Sequence, residues 1–153
     1  MRDEILLDTA LSTSLFGNKE YVAGITESTG KLELHTNGGP IYSKEQASVD
    51  KFGKVWYNKD SVANIFSFAE MRNRYRITYD SAVEDAFLVH TPKRKVRFKP
   101  LVNGLYSLNP KKETQHCTLE GKFQMVNTLE ENKKFSPQGN SSEPKSPEIS
   151  FTL

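Results

Sequence analysis

An acidic residue and a hydroxyl residue directly follow a short apolar run near the start of the chain. Residues 5–7 are Ile-Leu-Leu, and Asp8 and Thr9 come next. A carboxylate at the end of a buried strand loses solvation, and two such carboxylates side by side share one proton because they cannot both ionise. One then acts as a base toward water and the other as an acid toward a scissile carbonyl. A single chain carries one copy of this motif, so the second copy would come from a twofold-related subunit.

Other kinds of catalytic or ligand site have little support in the sequence. The single cysteine, Cys117, excludes internal disulfides and a multi-cysteine zinc site, and the three histidines are too scattered for a metal site (His35, His90 and His116). His116 precedes Cys117, but a nucleophile pair also needs an orienting third group. Gly38-Gly39 lacks the Lys-Ser/Thr and the helix of a phosphate-binding loop. We therefore expect no metal and no organic cofactor.

Length and composition place these residues in one small domain. The chain has 153 residues, 36% of them hydrophobic, and its charges sum to 21 − 19 = +2. One domain of about 150 residues is expected at this length. The near-neutral charge argues against a dedicated nucleic-acid binder, and no apolar run reaches the ~18 residues of a membrane span. We expect an intracellular protein with neither a membrane nor a nucleic-acid partner.

Short strands separated by turns must position the motif. Strand patterns occur at residues 5–7, 15–16, 32–35, 55–57, 62–68, 75–79, 86–89, 96–98 and 105–108, and Asn-Gly-Gly-Pro at residues 37–40 is a dense turn cluster. Residues 69–74 predict a short helical turn. Leu119, Phe123, Val126 and Leu129 have a spacing typical of a helix within residues 118–132. The sequence therefore predicts a mainly β domain with little helix.

The composition changes near the end of the chain. Residues 136–147 are rich in Pro and Ser and contain almost no apolar side chains. Such a segment cannot bury enough surface to offset its ordering entropy. We predict a β domain over residues 1–108, a connecting segment over residues 109–135, and a disordered tail over residues 136–153.

An ordered series of motifs resembles a known family. The Asp8-Thr9 turn resembles the catalytic turn of retropepsins, the homodimeric aspartic proteases of retroviruses and retrotransposons. Four further stretches resemble the protease segment of copia-type retrotransposon Gag-Pol polyproteins: the glycine-containing residues 36–39 and 53–57, Asn-Ile-Phe-Ser at 64–67, Tyr-Arg-Ile-Thr-Tyr-Asp at 75–80, and Asn-Gly-Leu-Tyr at 103–106. The resemblance covers residues 5–108.

The resemblance implies a fold and an activity. The implied fold is a retropepsin-like closed β-barrel or sandwich with one short helix. The implied activity is that of an aspartic endopeptidase, a hydrolase that processes the polyprotein of a transposable element by proteolysis. Asp8 would be the catalytic carboxylate, and the hydroxyl of Thr9 would brace the turn. The partners would be a second copy of the chain and a polypeptide substrate, in the cytoplasm or a virus-like particle. The segment following residue 108 would lead toward a pre-integrase region.

A mobile flap is the second functional element that the resemblance implies. A flap is a hairpin that closes over the peptide and excludes water. The candidate lies between residues 37 and 52, with Gly38 and Gly39 supplying mobility and Ile41 and Tyr42 contacting substrate.

Two positions depart from the family's pattern and support alternatives. The third motif position is normally glycine and here is Ala10, and the next is normally small and here is Leu11. A β-carbon can crowd the tight turn. The alternative is a catalytically inactive, truncated remnant or a dimerising interaction domain. A third, an RNA-associated β domain, depends on the basic residues 93–99, for which a solvated strand face is the preferred interpretation. We also interpret the tail as the product of a truncation or a frameshift after about Phe135.

Overall fold

β-Strands make up most of the described chain, which comprises residues 2–113 and 153 of a computed structural model. Residues 2–109 form ten strands and one α-helix, with one 3-10 turn at Lys19–Tyr21. The elements run in the order β1 (Ile5–Asp8), β2 (Leu15–Phe16), β3 (Ala23–Thr36), β4 (Gly39–Val49), β5 (Gly53–Tyr57), β6 (Asn64–Ser67), α1 (Phe68–Arg74), β7 (Arg76–Asp80), β8 (Glu84–His90), β9 (Lys95–Pro100) and β10 (Tyr106–Leu108). The predicted mainly β class with one short helix is confirmed.

β1 lies inside the sheet, which has the strand order β3-β4-β5-β2-β6-β1-β10-β9-β8-β7. It pairs in parallel with β6, where Leu7 lies opposite Phe66, and antiparallel with β10, where Leu7 lies opposite Tyr106. Its side chains at residues 5–7 are all buried, between 0% and 8% exposed. A strand covered on both faces has a continuous apolar run rather than an alternating one, which explains the Ile-Leu-Leu sequence.

The ten-stranded sheet is not closed into a barrel, so the expected closed barrel is wrong. Its ends are β3 and β7, which occupy opposite ends of the strand order. β3 is exposed along most of its length and carries Glu27, Lys31, Glu33 and His35. Charged side chains on an edge strand discourage further strand pairing, whereas a barrel has no edge at all.

Aromatic side chains fill the core between the strands. Phe16 and Phe66 meet edge to face with ring centroids 4.9 Å apart, and Phe52 lies 4.6 Å from Phe66.

In β9 the side chains alternate as predicted, because Val96 and Phe98 are buried whereas Arg97 and Lys99 are exposed. The basic residues of this strand therefore lie on the outer face of a strand whose inner face is in the core.

A buried asparagine joins three segments of the chain. Asn64 is fully buried at the start of β6. Its Oδ1 accepts hydrogen bonds from the N–H groups of Gly17 and Asn18 at 3.0 and 2.8 Å. Its Nδ2 donates to the carbonyl groups of Arg2 and Glu4 at 2.7 and 3.1 Å. The carboxamide thus accepts two hydrogen bonds and donates two, which is all that it can make. This side chain therefore holds the segment before β1 and the segment after β2 against the start of β6.

A glycine permits the close packing beside that asparagine. A β-carbon at Gly17 would lie 2.2 Å from the carbonyl oxygen of Ser61. No real carbon approaches a backbone oxygen so closely, and Gly17 cannot move away without disturbing the hydrogen bond from its N–H to Asn64. Position 17 therefore requires glycine for lack of space.

Several of the predicted segments lie outside the described residues. The chain divides into one unit of residues 1–109 and 150–153 and a second of residues 110–149. In the second unit only residues 110–113, which are helical, are described. The predicted helix within residues 118–132 lies outside the described residues. The same is true of residues 136–152 of the predicted tail, whereas Leu153 is described and is buried. None of the helices in the described part has the length and apolarity needed to cross a membrane.

We predict that Asn64→Ala lowers the free energy of unfolding by about 3 kcal/mol or more, because buried N–H and C=O groups that lose a partner cost about 1–3 kcal/mol each. Urea denaturation followed by circular dichroism measures the change. The matched control is Asn73→Ala on the exposed side of α1, for which a change within about 0.5 kcal/mol is expected. Equal effects of the two variants would contradict the role assigned to Asn64.

Candidate functional site

Asp8 lies at the end of β1 and shapes the turn that follows it. It is half-buried and lies opposite Ser67 in the parallel pair with β6. Its Oδ1 accepts the backbone N–H of Ala10 at 2.7 Å. Ala10 is exposed, and Lys51 is the only non-glycine residue with a positive φ in the described chain. The turn at Ala10 therefore does not demand the left-handed conformation that favours glycine.

A network of hydroxyl and carboxylate groups holds the loop after Asp8. Glu70 accepts two hydrogen bonds from Ser14, from the backbone N–H at 3.1 Å and from Oγ at 3.3 Å. The Ser14 hydroxyl in turn accepts the N–H of Ser67 at 2.9 Å. The Ser67 hydroxyl donates to the carbonyl of Leu11 at 2.8 Å and caps α1 by accepting the N–H of Glu70. The first turn of α1 thereby anchors both ends of the loop from Leu11 to Ser14.

A pocket of about 210 Å³ opens beside Asp8. Asp8 and Thr9 form its polar part, and Thr9 is exposed. The remaining lining comes from β1, from β8 and from the turn that enters β10, through Leu6, Leu7, Phe87, Gly104, Leu105 and Tyr106. A concave apolar surface with a few polar groups at one end is typical of a ligand site.

Aromatic rings surround one wall of this pocket. Phe87 and Tyr106 meet edge to face with centroids 4.8 Å apart, and Tyr79 lies 4.9 Å from Phe87. Phe68, the first residue of α1, meets Phe87 edge to face with ring centroids 5.9 Å apart. Edge-to-face contacts at these distances are favourable and define the ring orientations.

The carboxylate of Asp85 connects two of these rings. Its Oδ1 accepts the hydroxyl of Tyr79 at 2.7 Å and that of Tyr106 at 2.6 Å. These hydrogen bonds, that from Tyr106 first, lower the pKa of the Asp85 carboxyl. The same bond raises the pKa of Tyr106 well above its usual value, because ionisation would remove the donated proton and set two negative charges side by side. Asp85 thereby fixes the orientation of the Tyr106 ring in the pocket wall.

The flap candidates lie on a long exposed hairpin formed by β3 and β4. Asn37 and Gly38 form its tip, and the Thr36 hydroxyl closes the tip by donating to the Gly39 carbonyl at 2.7 Å. Gly39 has a φ of 107°, a conformation that favours glycine. The predicted range of residues 37–52 covers the tip and the second arm, whereas the first arm, β3, was not predicted at this length.

Ile41 and Tyr42 are adjacent in β4 and point to opposite faces of the hairpin. Ile41 is half-buried opposite Leu34, whereas Tyr42 is exposed opposite Glu33, to which its hydroxyl donates at 3.4 Å. The ammonium of Lys31 lies 4.2 Å from the centre of the Tyr42 ring. A single face of the hairpin therefore presents one of the two predicted contact residues and not both.

Of the predicted site residues, Asp8 and Thr9 share one pocket, and Gly38, Gly39, Ile41 and Tyr42 share one hairpin. The lining of the pocket contains Asp8 and Thr9 and none of the hairpin residues. Across residues 2–113 and 153, no three His, Cys, Asp or Glu side chains come together as a metal site would require.

Two side chains that shape the candidate site, Glu70 and Asp85, were not predicted from the sequence. Glu70 carries a local signal, since Ser67 and Glu70 have the Ser-x-x-Glu spacing of a helix capping box. Here the Glu70 carboxylate bonds to Ser14 instead of the Ser67 N–H. Asp85 carries no local signal, because Tyr106 comes from a strand far along the chain.

Comparison with family models, with curated proteins and with solved structures finds no match to this chain.

We predict that Glu70→Ala destabilises the loop after Asp8 by about 1–3 kcal/mol, the usual loss when hydrogen bonds to a charged group are removed. Hydrogen exchange at the Ser14 amide should accelerate accordingly. Glu70→Gln keeps an acceptor at the same place and should have a smaller effect. Unchanged Ser14 exchange in a folded Glu70→Ala protein would contradict this function of Glu70.

We predict that Asp85→Asn allows Tyr106 to ionise at lower pH, which tyrosinate absorbance measures. The same variant should also change how the stability of the fold depends on pH. A lowered folded-state pKa means that Asp85 stabilises the fold above its unfolded pKa of about 3.9 and that this contribution disappears as the pH falls through the folded value. The stability difference between wild type and Asp85→Asn should therefore shrink from pH 7 toward pH 2. A constant difference would contradict the assignment.

Proposed function

We propose that this chain is an aspartic endopeptidase domain of a copia-type retrotransposon polyprotein, active as a homodimer in which the two Asp8 carboxylates activate one water. The observation that carries the proposal is the position of Asp8, at the end of a strand buried on both sides, with its Oδ1 held by the N–H of Ala10 at 2.7 Å. The motif series over residues 5–108 adds to it.

The chemistry requires only the two carboxylates and water. One carboxylate takes a proton from the water as its oxygen attacks the carbonyl carbon, while the protonated partner donates a proton to the carbonyl oxygen. The resulting tetrahedral species loses the amine, which leaves with a proton from the dyad. Because the dyad must hold one proton, activity should decline as the pH rises through the upper pKa of the pair, and an acidic optimum follows.

The two departures from the family's motif are compatible with this chemistry. The Ala10 methyl is in an exposed turn, and the group that holds Asp8 is the backbone N–H, which alanine and glycine share. Leu11 is half-buried, and its carbonyl accepts the Ser67 hydroxyl. Neither side chain replaces a group that the reaction uses.

The hairpin of β3 and β4 supports the proposal as a flap. It is long, exposed and joined to the rest of the sheet through β5. A hairpin with a glycine tip can bend over a bound peptide and exclude water from the reacting atoms.

The proposal predicts that the full chain cleaves a casein-like substrate and that Asp8→Asn lowers the rate by about 10²–10⁴-fold, the usual contribution of a general acid–base group. Pepstatin should inhibit the wild-type protein. The control is Asp60→Asn, which changes an exposed aspartate on another loop and should cleave at the wild-type rate. A folded dimer that does not cleave would refute the enzyme and favour a dimerising interaction domain.

A further inference from the structure

Positive charge is concentrated on the outer face of β7, β8 and β9. Residues 93–99 contain five lysine and arginine side chains and no acidic one, although the whole chain has a charge of only +2. The proposed reaction uses none of these side chains. We call the outer face of the three strands the basic face, and its titratable side chains from the strand centres and edges are Arg76, His90, Lys95, Arg97 and Lys99.

Strand pairing brings three of these side chains into one row. Arg76 of β7 lies opposite His90 of β8, and His90 lies opposite Lys95 of β9. Residues directly opposite each other in antiparallel strands project from the same face, with Cβ atoms about 5 Å apart. The row therefore joins a basic side chain from β7 to the basic side chains of β9, a juxtaposition that depends on the fold.

The contacts of His90 agree with this row. Its Nδ1 lies 3.3 Å from the guanidinium of Arg76, and its Nε2 lies 2.7 Å from the hydroxyl oxygen of Thr78. A guanidinium can only donate, so Nδ1 is the acceptor and Nε2 carries the proton. His90 is therefore neutral in this arrangement and holds the Arg76 guanidinium at the surface of the basic face.

Acidic side chains neutralise only part of the charge. The Nε of Arg97 lies 3.2 Å from a carboxylate oxygen of Glu84. Lys95 and Lys99 are exposed and have no acidic partner within the described part of the chain. Alternate residues of a strand are about 6.8 Å apart, so Lys95, Arg97 and Lys99 form a line of regularly spaced cations. Such a line favours a partner with a regular series of negative charges.

We propose that the basic face binds the phosphate backbone of a single-stranded nucleic acid, with Arg76, Lys95 and Lys99 as the contacting cations. The inference goes beyond the proposed function and does not depend on it. It departs from the expectation based on net charge, because the folded chain gathers on one face cations that the overall charge averages out.

The chemistry of the basic face favours phosphates over other parts of a partner. The aromatic side chains of these strands, Tyr79, Phe87 and Phe98, pack on the opposite face, so bases find no ring on which to stack. Leu88, which lies opposite Arg97, is half-buried and gives a membrane little apolar surface to receive. Binding should therefore be electrostatic, independent of base sequence and strongly dependent on salt.

The row of Arg76, His90 and Lys95 lies at the end of the sheet opposite to Asp8. β1, β10, β9, β8 and β7 are paired antiparallel in succession, so β1, β9 and β7 run in the same direction. Asp8 ends β1, whereas Lys95 begins β9 and Arg76 begins β7. A strand bound at this row leaves the turn at Asp8 uncovered. Asp8→Asn should therefore bind nucleic acid as wild type does.

The first experiment measures binding of fluorescein-labelled oligo(U) to the full-length protein by fluorescence anisotropy. Three phosphate contacts predict a slope of log K against log salt concentration of about −2, since each contact contributes about −0.7. Lys95→Gln/Lys99→Gln should weaken binding about tenfold at low salt and make the slope shallower by about 1.4. No binding at low salt, or binding that this variant leaves unchanged, would overturn the proposal.

Two controls separate this site from a general effect of charge. Lys54→Gln/Lys59→Gln removes two exposed positive charges from β5 and the loop after it, and should bind as wild type does. Polyglutamate of the same total charge should displace labelled oligo(U) less effectively than unlabelled oligo(U). Equal weakening by the two double variants, or equal displacement by polyglutamate, would refute a nucleic-acid site on the basic face.

The second experiment locates the bound strand. Partial burial, followed by the positive charges of Arg76 and Lys95, lowers the pKa of His90. A phosphate beside these cations offsets their charge, so saturating oligo(U) should raise the pKa of His90, which NMR of its ring protons measures. The ring signals of His35, on the β3–β4 hairpin, should stay in place on addition of oligo(U). A complex in which His90 titrates as in the free protein would contradict the proposed location.

Discussion

The fully buried carboxamide of Asn64 is the interaction on which the arrangement around Asp8 depends. It receives the N–H groups of Gly17 and Asn18 and donates to the carbonyls of Arg2 and Glu4, so it joins the segment before β1 to the segment after β2. β6, which begins at Asn64, lies between those two strands in the sheet. An apolar side chain of the same size would leave four backbone groups without partners in a dry interior, and such groups cost more than the burial would gain. The short strands β1 and β2 are therefore held in place by the Asn64 side chain as well as by backbone pairing with their neighbouring strands.

A second set of hydrogen bonds, made by Ser67 and Glu70, holds the loop that follows Asp8. Ser67 closes β6 and caps α1, and it bonds to both Leu11 and Ser14. Glu70 completes the set through Ser14. Asn64 thus fixes the start of β1, whereas Ser67 and Glu70 fix the loop beyond its end. Asp8 lies between these two points, so its position is determined by rigid elements on both sides, as the proposed function requires.

Local patterns predicted the parts of the fold that depend on local physics. The apolar run of β1, the alternation of Val96 and Phe98 in β9, and the helical turn of α1 could all be inferred because burial acts on neighbouring residues in a fixed period. The open sheet could not be inferred, because the pairing of Ile5 with Leu108 spans almost the whole described chain. The full length of β3 was not predicted either, since most of its residues are exposed and carry no apolar period. For the same reason the motif identified Asp8, but only the folded chain brings Tyr79 and Tyr106 to Asp85.

The pairing of β1 limits how a second copy can approach Asp8. β6 occupies one edge of β1 and β10 occupies the other along Ile5–Leu7, so these three residues leave no edge for a strand of the partner. If two Asp8 carboxylates meet on a twofold axis, that axis must pass the open end of β1, where Thr9 and Ala10 are exposed. The methyl group of Ala10 would then lie near the partner instead of inside its own turn. In such a dimer, alanine instead of glycine at position 10 would affect the fit between the two subunits, because within one chain the Asp8 carboxylate already accepts the N–H of residue 10.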